Sequence, residues 1–335
     1  MTNATLAPVL RPGRDADAEG FIALIGDSWD EYPGNILDVD GELPELRALA
    51  SYFAKSGGML WAVEQDGAIT GMIGTKPLVE GAWELCKVYT RPALRGTGMA
   101  QTMLTTAEDY ARAHGGTRMK LWSDTRFDRA HRFYEKQGYV RVGPLRVLND
   151  LSMSIEYCYE KPLTGTIVER LDAAGANAAI PAFAAILKAC VDAGASVSFL
   201  PPLPRDTATA FWTRAASAAA QGKRILLAGW VDGTLAGTVT LDLDTPPNQP
   251  HRADVGKLLV HPDARRRGLA RLLMERLEAE ARAAGRSLLV LDTKEGDGAE
   301  PLYRAMGWTE AGRVPDFAMN GDGSLSATIF FWKKL

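Results

Sequence analysis

The sequence predicts a mixed α/β (α+β) chain of two tandem domains, each a mixed central sheet flanked by helices. Three observations predict this. Residues 84–115 align without a gap on residues 254–285, an offset of 170 positions. In each copy a strand runs through a tight turn into an amphipathic helix. Ahead of it, each copy has an Asp-Gly dipeptide between two apolar runs, Asp66-Gly67 and Asp232-Gly233, which is a strong hairpin signal. A repeat near half of 335 residues means a duplicated domain rather than a solenoid. The length also suits two cores of ordinary size.

The elements follow in order. A strand is expected near residues 8–11 and again near 166–171. Helical stretches are expected over 15–28 and 44–55, and over 173–192 and 206–221. Pro44 suits a first helical turn, where a missing N–H costs nothing. The hairpins comprise 60–64 with 69–75, and 225–231 with 235–241. In the helix after the central strand, Met99, Met103, Leu104, Ala107 and Ala111 keep helical spacing, as do Leu269, Leu272, Leu273 and Leu277. Gly115 and Gly285 end these helices. A strand (119–123; 288–292), a short helix and a final pair of strands complete each half. Pro162 and Gly165 break the pattern near 161–165 and set the domains at 1–162 and 166–335.

Composition narrows the function classes. The net charge is −3 with average apolar and charged fractions, which points away from nucleic acid and anionic membranes. Cys86, Cys158 and Cys190 form neither a disulfide framework nor a metal pattern, and no His/Cys cluster has metal spacing. Buried free thiols suit a reducing cytosol. Residues 1–14 lack the apolar run of a signal peptide, and no segment is apolar enough to span a bilayer, so a cytoplasmic location is expected.

The chemistry starts at the turn. Arg-x-x-Gly-x-Ala occurs twice, as Arg95, Gly98, Ala100 and as Arg265, Gly268, Ala270. A helix that begins there points free N–H groups outward, with the dipole and a flanking arginine behind them, and this makes an anion site. Gly98 and Gly268 are expected to let the backbone approach a pyrophosphate. Arg265, Arg266 and Arg267 form either a solvated charge run or an attractor for phosphates. A dinucleotide fold is the rival, but no Gly-x-Gly-x-x-Gly opens the first strand–helix unit.

On these residues both halves resemble the GNAT superfamily of acyl-CoA-dependent N-acyltransferases. The resemblance continues in residues 130–134 with Gly138-Tyr139, and in 299–303 with Gly307-Trp308. It implies acetyl-CoA as cosubstrate with no metal. It places the cosubstrate on Val88, Tyr89, Arg95, Gly96, Thr97, Gly98, Met99 and Ala100 in the first half. In the second half it places it on Leu258, Leu259, Val260, Arg265, Arg266, Arg267, Gly268, Leu269 and Ala270. The second half is similar to the tabtoxin-resistance acetyltransferases through residues 254–258, Leu291-Asp292-Thr293, Gly296, Gly312, Pro315, Asp322-Gly323 and Leu325. The first half resembles small-molecule acetyltransferases of unassigned substrate through residues 121–127.

An alkyl ammonium, with a pKa of about 10, must lose a proton before it attacks a thioester, so a carboxylate base is needed. Glu84 and Asp254, aligned at the start of the central strand, are the candidates; the alternative for each is a solvent-facing carboxylate. An aspartate at 254 departs from the glutamate of the tabtoxin-resistance group. Backbone N–H groups near 88–89 and 258–259 are candidates for the carbonyl oxygen. Tyr134 and Tyr303 are candidates to meet the leaving sulfur, as acid or as hydrogen-bond donor, against a packing role. Asp292 matches a substrate-site aspartate, against a helix-cap or turn role. Loops at 196–204, with three prolines, and at 316–324 are expected to close over a small pocket, which favours a small, amino-acid-like amine over a protein. One non-catalytic, acetyl-CoA-binding half is the alternative architecture. The sequence is compatible with a monomer or a homodimer.

Overall fold

The structure is a computed structural model, and it describes residues 7–79 and 81–335. The first six residues of the N-terminal stretch read above lie outside that part. The chain divides into two compact units, one running to Tyr134 and resuming at Arg141–Thr164, the other comprising Glu135–Val140 and Gly165–Leu335.

The elements up to Pro162, which fall in the first unit apart from the last two residues of α4 and the first of β6, are β1 (Val9–Pro12), α1 (Ala18–Trp29), α2 (Leu49–Lys55), β2 (Met59–Gln65), β3 (Ala68–Pro77), β4 (Ala82–Thr90), α3 (Met99–Ala113), β5 (Arg118–Asp124), α4 (Asp128–Lys136), β6 (Val140–Val147) and β7 (Ile155–Pro162). The second repeats the plan with β8 (Thr166–Arg170), α5 (Ala173–Ala178), α6 (Ile180–Asp192), α7 (Arg205–Ala220), β9 (Arg224–Val231), β10 (Thr234–Asp242), β11 (Arg252–Val260), α8 (Leu269–Ala283), β12 (Leu288–Lys294), α9 (Glu300–Ala305), β13 (Thr309–Met319) and β14 (Leu325–Lys334). The sheet orders are β1-β2-β3-β4-β5-β7-β6 and β8-β9-β10-β11-β12-β14-β13, so β7 and β14 each insert ahead of the strand that precedes them.

Three expected helices are divided. Residues 15–17 and 44–48 are 3-10 turns ahead of α1 and α2, and 173–192 is broken at Ala179 into α5 and α6. Pro181 lies in the first turn of α6, where its missing N–H is tolerated; inside one continuous helix it would remove a hydrogen bond.

Alternation on the strands sets both faces of each sheet. In the second unit Ala253, Leu289 and Leu291 share a buried cluster with Leu273 and Leu277 of α8. The neighbours of those strand residues, Asp254, Val290 and Asp292, therefore lie on the opposite face. In the first unit Leu60, Ala62 and Met72 pack with Phe21, Leu24, Leu49 and Phe53 of α1 and α2, with Cys86 and Tyr89 at the margin. β13 is an edge strand, interrupted by register shifts at Glu310/Gly312 and Val314/Ala318.

Candidate active site

Two departures from regular pairing build the site in each half. The parallel ladder between β4 and β5 ends at Leu85↔Leu121, and that between β11 and β12 at Asp254↔Val290. Beyond these pairs the central strand is no longer bonded to its parallel neighbour, although each strand runs on for several residues. On its other side the same strand carries an extra residue. Two steps on β3 from Met72 to Gly74 match three on β4 from Tyr89 to Cys86, and Thr238 to Thr240 match Leu259 to Gly256. The bulged residues are Lys87 and Lys257, both in the left-handed region at φ 55° and 51°. Val88–Tyr89 and Leu258–Leu259 follow directly, so the candidate oxyanion donors sit on the splayed, bulged segment.

The strand then turns into the helix through Gly98 and Gly268, at φ 89° and 81°. Nothing lies within 4 Å of where a Cβ would stand at either glycine. The conformation, rather than lack of room, demands glycine there. In the second half a cavity of about 590 Å³ opens at this turn. Leu258, Leu259 and Val260 of β11, Arg265, Arg266 and Gly268 of the loop, and Leu269 and Ala270 of α8 line it, with Ala193–Ala195 and Asp297–Ala299 opposite. Its size is that of a small-ligand site. Arg267, expected on the same anion, is not on its wall; its guanidinium is bonded to Asp232 in the hairpin turn.

The second half also carries charged side chains on the sheet face turned away from α8. Asp254 is held by Arg252. Asp292 is exposed and accepts a hydrogen bond from Thr328 Oγ1 at 3.1 Å. Lys257 Nζ donates to Ser198 Oγ at 3.3 Å and stands 5.3 Å and 5.9 Å from the Phe211 and Phe199 ring centres. Burial pushes its ammonium below the ordinary lysine value, and the Asp292 charge opposes that shift. Tyr303 is buried against Trp308 and Phe331, with ring centres 6.0 Å and 5.8 Å apart, and adjoins Leu302 on the cavity wall. Burial pushes its phenol up, with the charges of Asp297 and Asp292 adding to the shift.

The first half differs at most of these points. Arg95 is bonded to Glu31, and Arg129 of α4 donates to the same carboxylate at 3.0 Å. Tyr32 packs on Phe127 with ring centres 4.8 Å apart, so the segment after α1 reaches both the anion loop and α4. Thr97 Oγ1 accepts from the Met99 N–H at 3.3 Å, filling one of the helix-start donors. Glu84 is paired with Lys76 at 3.3 Å, and Lys87 with Glu45 at 3.4 Å. Trp122 stands where the second half has Asp292, beneath the Arg146 guanidinium at 4.2 Å. The Tyr89 hydroxyl accepts from Trp29 Nε1 at 3.0 Å, and burial pushes it up to about 12; burial likewise raises the Cys86 thiol to about 12, which keeps it protonated. Tyr134 is buried and its phenol raised for the same reason.

The model of the acetyltransferase (GNAT) family matches twice, over residues 22–139 and 195–308. The chain belongs to this family. Among curated relatives, the uncharacterized N-acetyltransferase YjgM of Escherichia coli is 30% identical over 102 residues, which are 30% of this chain and 61% of that protein. An uncharacterized N-acetyltransferase of the hisH-hisA intergenic region of Azospirillum brasilense is 33% identical over 129 residues, 37% of this chain and 75% of that protein. Among solved structures, yncA of Salmonella typhimurium with its cofactor acetyl-CoA matches at 20% identity and a TM-score of 0.43, over 51% of this chain and 94% of that one. Among the described residues of this GNAT chain no three His, Cys, Asp or Glu side chains gather as metal ligands, and no helix is long and apolar enough to cross a membrane.

Several of these features escape a sequence reading. Glu31 carries one legible signal: with Asp27, bonded to Arg91, it puts acids at the C-terminal end of α1, against the helix dipole. Of the two segments expected as loops over a pocket, residues 316–319 are instead the end of β13 and neither Pro201 nor Gly321 lines the cavity, but the segments approach at one point. A Cβ on Gly321 would stand 2.5 Å from Pro201 Cγ. Gly321→Val must therefore part the loops. Overpacking of this kind costs about 1–3 kcal/mol. The expected result is a rise of about fivefold or more in the acceptor KM with acetyl-CoA affinity unchanged, measured by steady-state kinetics and calorimetry.

Proposed function

We propose that the second half is an acetyl-CoA-dependent N-acetyltransferase acting on a small, amino-acid-like amine, and that the first half binds acetyl-CoA without turning it over. The observation that carries this reading is the cavity running from the anion loop to the splayed strand of the second half, with Asp254 and Asp292 on neighbouring strands of the same sheet, on the face turned away from α8. Glu31 on the first loop and Trp122 in place of Asp292 support the different role of the first half.

Acetyl-CoA, when bound, supplies an acetyl thioester. The free N–H groups at the start of α8, with Arg265 and Arg266, hold its pyrophosphate. The N–H groups of the Leu258–Leu259 segment stabilise charge on the carbonyl oxygen. Asp292 holds the acceptor ammonium, and Asp254 takes its proton directly or through water. One C–N bond forms and one C–S bond breaks. Tyr303, its phenol raised well above a thiol's value of about 8.5, keeps its proton and donates a hydrogen bond to the sulfur. The acetylated nitrogen releases its second proton to solvent, and solvent protonates the departing thiolate.

The test is thiol release from acetyl-CoA with a panel of free amino acids, amino-acid-like amines and lysine-containing peptides under one set of conditions. Small amines are expected to exceed peptides in kcat/KM by more than about tenfold, or 1.4 kcal/mol of transition-state binding. Peptides winning by that margin overturn the small-molecule assignment.

A further inference from the structure

We propose that Lys257 recognises the carboxylate of the acceptor, so that the second half takes zwitterionic α-amino acids in preference to plain amines. This rests on the reading of that half as an amine acetyltransferase and adds the residue that selects among amines.

The backbone gives the first argument. Lys257 is the extra residue of the β11 bulge and sits at φ 51°. The left-handed region is unfavourable for a side-chain-bearing residue, and glycine would avoid that strain. A bulge re-aims the side chain it carries. A long cation is thus held beside the splay against the backbone's preference.

Its surroundings give the second. Nearby cations are already engaged: Arg224 with Asp242, Arg252 with Asp254, Lys294 with Asn320 Oδ1 at 2.8 Å. Lys257 has only the Ser198 hydroxyl and two ring faces, and among the described residues no carboxylate lies within ion-pair distance of it. Asp292 influences it electrostatically without pairing with it. An α-amino acid carries both complementary charges on one carbon, with the ammonium for Asp292 and the carboxylate for Lys257. The burial that disfavours a lone ammonium here is offset once a carboxylate arrives.

The duplicated half gives the third. Lys87 occupies the same bulge in the first unit, at φ 55°, and there the lysine holds a carboxylate of its own chain, Glu45 at 3.4 Å. The same lysine on the same bulge lacks that internal partner in the second unit. Phe330, in register with Asp292 and edge-on to Phe317 at 5.8 Å, adds an apolar wall for the acceptor's side chain.

The experiment compares phenylalanine with phenylalaninamide and phenethylamine, and leucine with isoamylamine, in wild type, Lys257→Met and Lys257→Arg. Wild type is expected to favour each amino acid by tenfold or more in kcat/KM. Lys257→Met should bring the ratio to within about twofold, mostly through KM, and Lys257→Arg should retain a preference. Turnover of amines without a carboxylate preference in wild type overturns the proposal, as does a preference that survives in Lys257→Met. Failure of every small amine to be acetylated by wild type instead overturns the underlying reading of the half as a small-amine acetyltransferase. Calorimetric binding of acetyl-CoA by each variant with the wild-type stoichiometry, including the tighter site of the second half, checks that it is folded.

Discussion

Gly268→Glu is expected to weaken acetyl-CoA binding by the second half about a hundredfold. Any side chain at φ 81° costs about 1–2 kcal/mol. A carboxylate there also turns the attraction of the α8 N-terminus for phosphate into repulsion, and a charge at a helix end is worth up to about 2 kcal/mol. Together these approach 3 kcal/mol, or two powers of ten in Kd. Titration by calorimetry should find two sites per wild-type chain, the second half's being the tighter. In the first half a phosphate must displace Glu31 from Arg95 and Arg129. Those pairs are partly exposed and worth at most about 1 kcal/mol each, so the displacement weakens binding by roughly tenfold. Gly98→Glu should therefore remove the weaker site and leave turnover intact. A wild-type stoichiometry of zero would sink the assignment of both loops.

The second large effect is expected from Asp254→Asn. The amide keeps the shape and the contact with Arg252 but cannot accept the ammonium's proton. General base catalysis contributes about 10²–10⁴-fold, and kcat is expected to fall within that range at neutral pH. The deficit should shrink as pH approaches the amine's own pKa, because the acceptor then arrives already deprotonated. A pH–rate profile of both proteins reads this directly. Wild-type rates for Asp254→Asn, together with loss of activity in Glu84→Gln, would move the reaction to the first half.

Much of the architecture was legible in the residues because its causes are local. Apolar runs, the two Asp-Gly turns and the Arg-x-x-Gly-x-Ala loops act over a few positions, and each stands in the structure close to where the spacing put it. The divided helices were not legible, since whether Pro181 starts a helix or interrupts one depends on how residues 173–178 pack. At the site, the loop glycines and the aligned carboxylates could be read in sequence. Glu31 on Arg95, Lys257 between Phe199 and Phe211, and the Pro201–Gly321 meeting could not, because each joins segments dozens of positions apart. Arg267 shows the same limit from the other side: three adjacent arginines look equivalent in sequence, yet Asp232 in a distant turn takes one of them.

The broken course of β13 bears on edge-to-edge association of the sheet. An eleven-residue edge strand with Val314, Phe317 and Met319 each two-fifths or more exposed is a template for intermolecular sheet growth. Pro315 offers no amide to an incoming strand, and Asp316 at φ 52° turns the backbone out of line. The two register shifts cut the edge into runs of two or three residues, Thr309–Glu310, Gly312–Val314 and Ala318–Met319. None is long enough to seed a fibril-like ladder, so the apolar side chains can stay at the surface while the edge resists aggregation.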